Sequence, residues 1–183
     1  MDESSALRGS TLLLGPSNVG KTKRTATLLE RWTATHGGRG VVVLDFAPEV
    51  VRADGTVLGG RITRFATPPD DGWTGILDSY APRASAPTAA DALELARRNA
   101  ENARRLLDAA PEPTALFVND ATIPFQHPTA ETAPLLELIE TADCAVLNAF
   151  ESTELGRDGP VSRTEANTRR ILRDAVRRVR RLG

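Results

Sequence analysis

The stretch from Gly15 to Thr22, GPSNVGKT within TLLLGPSNVGKTKRT, combines the residue types that grip a phosphate chain without covalent chemistry. Gly15 lets the backbone turn sharply, and Gly20 permits close approach of the main chain where a helix would begin. Pro16, Ser17, Asn18 and Val19 form the loop between them, and with Lys23 they complete the set of expected binding residues. Inward-facing loop N–H groups and the positive end of the following helix would converge on an anion. The Lys21 ammonium would reach the β- and γ-phosphates, and the Thr22 hydroxyl would coordinate Mg²⁺.

A loop of this kind must be held by a strand before it and a helix after it, and the flanking residues predict both. Ser10–Leu14 is a short apolar run, and Lys21–Thr35 places Ala26, Leu28, Leu29 and Trp32 at near-helical spacing before HGGRG. GVVVLDF, residues 40–46, is the β-branched run of a strand buried on both faces. PTAADALELARRNAENARRLLDAA, residues 87–110, reads as a helix capped by Thr88 with Asp91 three residues on. TALFVND (114–120) and CAVLNAF (144–150) are two further apolar strands, with helices over about 130–141 and 163–182. Alternating strands and helices imply an α/β fold, a mostly parallel sheet between helical layers, with ligands at the carboxyl ends of the strands.

Fixed residues Gly15, Gly20, Lys21 and Thr22 match G-x-x-x-x-G-K-[ST], and on them the chain resembles the P-loop NTPase superfamily. The resemblance implies a three-layer α/β/α P-loop fold that binds a Mg²⁺-nucleoside triphosphate. Asp120, at the end of ALFVND, is similar to the aspartate with which that family completes the metal shell, so Thr22 and Asp120 are the expected metal residues. Many hydrolytic members carry a glutamate immediately after this aspartate. Ala121 follows here, which predicts slow turnover rather than a motor. Asp45, closing VVVLD, stands where P-loop kinases often place an acid toward the substrate, so Lys21, Asp45 and Asp120 are the expected catalytic residues.

PSNVGK is similar to the first motif of translation-factor-class GTPases, but N-K-x-D and D-x-x-G are missing, which favours ATP over GTP. In layout the chain is similar to corrinoid adenosyltransferases: a loop near the start, an irregular segment after the second strand, and an acid-terminated strand after a long helix. Small nucleoside triphosphatases and metabolite kinases share that layout. These resemblances imply slow hydrolysis or transfer to a small-molecule co-substrate, seated over the irregular residues 47–87. A non-catalytic nucleotide-dependent switch is the competing expectation.

Composition agrees with one domain spanning 1–183: the chain is 40% hydrophobic and 26% charged, with a formal net charge of −1. Arg61 and Arg64 in GGRITRF, there expected as a strand, read as solvated arginines of a hairpin, with an anionic ligand as the alternative. His36 and His127 lack zinc-site partners, and Cys144 reads as a packed thiol. Residues 163–182 carry eight arginines on a helical apolar stripe, expected as an amphipathic helix on the sheet, with a surface for an acidic partner as the sharper reading. Arg157 and Arg163 are candidates for a lid over the phosphates. At 4% aromatic residues the chain is poorly equipped to stack bases, which argues against nucleic acid. No run reaches a membrane span and no export signal is visible, so a cytoplasmic protein is expected, and a homo-oligomer is left open.

Overall fold

Four apolar runs become four strands whose residues are almost all buried, and helices cover both faces of the sheet they make. A computed structural model describes residues 6–51, 55, 57–58, 60–152 and 158–183. Asp54, Gly59 and Arg157 lie outside the described residues, and with them the expected 54–55 turn and one of the two lid arginines. In chain order the elements are β1 (Gly9–Gly15), α1 (Lys21–His36), β2 (Val41–Asp45), β3 (Val50–Val51), β4 (Val57–Leu58), β5 (Trp73–Ile76), α2 (Pro82–Ser85) and α3 (Ala89–Ala109). There follow β6 (Ala115–Asn119), α4 (Ala133–Thr141), β7 (Cys144–Phe150), α5 (Pro160–Ala175) and β8 (Arg178–Arg181).

Six strands form one sheet in the order β5-β2-β6-β7-β1-β8, every neighbour parallel. β3 and β4 make a separate antiparallel pair. The period of two along each strand sorts side chains to opposite faces. Leu13, Val43, Phe117 and Val146 pack under Leu28, Leu29 and Trp32 of α1. Leu12, Leu14, Val42, Leu116 and Leu147 pack on the other face with Ala103 and Leu107 of α3, Leu135 and Ile139 of α4, and Leu172 of α5. The architecture is three-layer α/β/α, with α1 alone on one side. Thr88 caps α3 as expected, accepting the Asp91 N–H at 3.1 Å. Among the described residues no helix is long and apolar enough to cross a membrane.

Three local expectations are corrected. The terminal helix stops at Ala175, and residues 178–181 form β8 instead of continuing it. Helical spacing holds through Leu172, but without β8 the strand β1 would be an edge, and its main-chain groups would lack one side of the ladder. β8 supplies that side, with Val179 in register with Leu12. Second, RITRF, residues 61–65, contains no strand: Ile62–Arg64 is a single 3₁₀ turn. The Asp45 carboxylate captures the Ile62 N–H at 2.7 Å, and Ile62 is buried in the α1-side core. Third, the irregular residues 47–87 carry, among the described residues, β3, β4, the edge strand β5 and α2.

Candidate functional site

The carboxyl ends of β1, β6 and β7 lie side by side, and the chain leaves them toward opposite faces. From β1 it passes into α1 on one side, and from β6 and β7 into α4 and α5 on the other. Such a reversal opens a crevice above the strand ends. Over it lies the 15–20 loop. Asn18 adopts a left-handed backbone (φ 62°), and so does Gly20 (φ 93°), the residue that precedes α1. No side chain caps α1 and no acid stands in its first turn, so its first N–H groups and positive dipole end face the loop without local neutralisation. The Lys21 ammonium curls back over the loop, donating to the Gly15 carbonyl at 2.9 Å and to that of Pro16. Ser17, Asn18 and Lys23 are exposed, whereas Pro16, Val19 and Thr22 are half-buried.

Beneath this loop runs a buried polar row on the α1 side of the sheet. The last residues of β2 and β6, Asp45 and Asn119, are register partners, and Asn148 stands two residues before the end of β7. Asn119 Nδ2 donates to Asp45 Oδ1 and to the Gly60 carbonyl, both at 2.8 Å. Asn119 Oδ1 accepts from Thr22 Oγ1 at 3.1 Å and from Asn148 Nδ2 at 2.9 Å. Asn148 Nδ2 also donates to Thr25 Oγ1 at 2.9 Å. Thr22 therefore meets the neutral amide of Asn119, and the expected metal residue Asp120 stands one position farther on. Sequence reasoning missed Asn119, Asn148 and Thr25, although a single asparagine interrupts each of the apolar runs ALFVND and AVLNAF.

Asp45 is 1% exposed. Both its oxygens are engaged, Oδ1 by Asn119 and by the Ala47 N–H at 3.3 Å, Oδ2 by Ile62. Burial raises its pKa above the usual carboxylate range, against the pull of these hydrogen bonds and of Arg61. It props the 61–65 turn from inside the fold, and the structure does not bring it to the crevice surface as a substrate-facing acid.

Asp120 has the opposite character. It is half-buried, its backbone is left-handed (φ 57°), and its N–H donates to Asn148 Oδ1 at 3.1 Å. Burial, opposed by the Lys21 charge and helped by the smaller effects of Glu165 and Asp45, pushes its carboxyl up to about 6. Lys21 and Asp120, a hundred positions apart in the chain, thus share one electrostatic environment. A carboxyl that titrates near neutrality beside a cation and an anion-ready loop is suited to accepting or delivering a proton.

The other candidates fall outside this centre. Arg61 and Arg64 pair with Glu49 at 3.7 and 3.5 Å; Arg64 is exposed, as the solvated reading has it, whereas Arg61 is half-buried and donates to the Leu77 carbonyl at 3.4 Å. Arg163 is exposed on α5. His36 stacks on Trp32 at 4.0 Å between ring centres, and His127 bonds Thr129. The Cys144 thiol is buried and pushed up to about 12, which leaves it inert. Among the described residues no three His, Cys, Asp or Glu side chains gather as a metal cage. Magnesium does not need one, because it keeps most of its waters and takes one or two protein oxygens alongside those of a phosphate chain, so the Thr22 hydroxyl and Asp120 carboxylate fit that ion. No family model matches the chain, and no curated protein matches it significantly.

Proposed function

We propose that the protein binds a Mg²⁺-nucleoside triphosphate, ATP in preference to GTP, and uses it in slow hydrolysis or transfer to a small-molecule co-substrate. The observation that carries this reading is the meeting, at the carboxyl end of the sheet, of an uncapped helix start, a lysine curled into its loop, and an acid titrating near 6. Loop N–H groups and Lys21 hold the phosphates, Lys21 exchanging its two loop carbonyls for phosphate oxygens. Thr22 Oγ1 donates its hydrogen bond to Asn119 Oδ1, which leaves the oxygen lone pairs available to a cation. Bound magnesium would supply charge neutralisation across the phosphates, with Thr22 and Asp120 on its protein side. Asp120, ionised above its raised pKa, would be a carboxylate of that metal shell. Asp45 acts indirectly, by fixing Asn119.

A neutral asparagine against Thr22 also favours the second reading, a nucleotide-dependent switch without turnover, because it gives the metal shell less negative charge than an aspartate would. Calorimetric titration of Mg·ATP into the wild type and Lys21→Ala tests the binding. Micromolar affinity is expected, weakened at least about 100-fold in the variant, since a desolvated charge-assisted bond is worth about 3 kcal/mol. Equal affinity in both proteins, or none in either, refutes the proposal. Phosphate release over hours then separates the enzyme from the switch.

A further inference from the structure

Glu165 is 2% exposed in the first half of α5, a place where a carboxylate persists only with several partners. Its partners come from two segments far apart in the chain. Arg83 of α2 donates to Oε2, while Thr122 and Gln126 donate to Oε1 at 3.0 and 2.9 Å. Arg169, one turn along α5, stands 4.0 Å from Oε2.

The Arg83 segment is a strap across the carboxyl end of the sheet. Leu77 N–H donates to the Asp45 carbonyl at 2.9 Å, Ser79 Oγ to that of Phe46 at 3.0 Å, and Asn99 holds both main-chain groups of Tyr80. Thr122 and Gln126 belong to the turn that Asp120 opens, where the Ile123 N–H donates to the Asp120 carbonyl at 3.1 Å. The cluster also borders the 15–20 loop. Arg83 lies over the Phe150 ring at 5.4 Å, Arg169 donates to the Phe150 carbonyl at 3.4 Å, and Phe150 is in register with Gly15.

A seam needing adhesion alone would be served as well by apolar residues of similar volume, because burying an ion pair offsets most of its own attraction. We propose that Glu165 is a positioning residue: its carboxylate fastens the 77–85 strap and the 120–126 turn to α5, so that the strap and Asp120 are placed together. A co-substrate seated under the strap would thereby be aligned with the acid that serves it. That last consequence rests on the proposed function, whereas the mechanical link does not.

Amide exchange in the full chain reads the link from both sides. In Arg83→Met, which removes the strap's donor to Glu165 Oε2, exchange is expected to quicken at least tenfold in residues 121–126 as well as in the strap. Arg83→Lys, which keeps a cation for that oxygen, should restore slow exchange in the turn. Thr122→Val removes one donor to Oε1 and should quicken only the turn, so one variant remains informative if another fails to fold. Exchange in Arg83→Met quickened in the strap alone, or quickened equally in Arg83→Lys, overturns the proposal. If the turn responds in a protein that binds no nucleotide, the link through Glu165 stands and the nucleotide reading falls.

Discussion

Replacing Asn119 by aspartate changes one NH₂ group to an oxygen, and the structure gives that exchange a large, pH-dependent cost. Asn119 Nδ2 has two acceptors at 2.8 Å, Asp45 Oδ1 and the Gly60 carbonyl. After Asn119→Asp, an oxygen faces both. Two carboxylates at that distance in a buried site cannot both be ionised, so the pair must retain a proton, which then bridges them. Holding that proton costs about 1.4 kcal/mol for each pH unit above the ordinary carboxyl value near 4, roughly 5 kcal/mol at pH 7.5, and the bridging O–H returns about 1 kcal/mol. The variant should therefore be about 4 kcal/mol less stable than the wild type at pH 7.5. Its pair has a folded-state pKa raised above the unfolded value, so its stability is present at low pH and lost as pH rises. By pH 5 the deficit should shrink to about 0.4 kcal/mol. Urea unfolding of both proteins at pH 5.0, 6.0 and 7.5 reads the difference directly. A deficit under about 0.5 kcal/mol at pH 7.5, or one independent of pH, would refute the buried Asp45–Asn119 arrangement.

Two other outcomes follow from the same groups. Asp120, titrating near 6 against an ordinary value of 3.8, favours its protonated form in the folded state, so it weakens the fold as pH rises from about 4 to 6. Asp120→Asn should raise the melting temperature of the metal-free protein at pH 7.5 more than at pH 5; a larger gain at pH 5 would contradict this. Asn99 is fully buried and holds both main-chain groups of Tyr80, so Asn99→Leu should cost about 2–3 kcal/mol in urea unfolding and loosen the 77–85 strap in amide exchange. Nucleotide affinity should be unchanged by it, because the strap does not form the 15–20 loop.

The order and type of the large elements were legible because apolar runs and amphipathic periods are local properties of the chain. Thr88 with Asp91 announced the start of α3, and the continuous apolar strands announced a parallel sheet covered on both faces. Lys21 and Thr22 were legible as a site because residues adjacent in sequence share a loop wherever that loop lies. The roles of the two aspartates were not. Which side of β2 Asp45 would face, and whether Asn119 or Asp120 would meet Thr22, depend on strand register and on where β6 ends.

The sequence by itself determined an α/β chain with a glycine- and lysine-bearing loop between its first strand and first helix, since spacing and residue type suffice for that. Only the tertiary structure decided that Asp45 turns inward, that Asn119 stands against Thr22, and that Glu165 joins two segments about forty residues apart. It also turned residues 178–181 into a strand. The physical reason is common to all of these: buried polar groups and unpaired strand edges must find partners, and those partners lie far off along the chain, where no local pattern can name them.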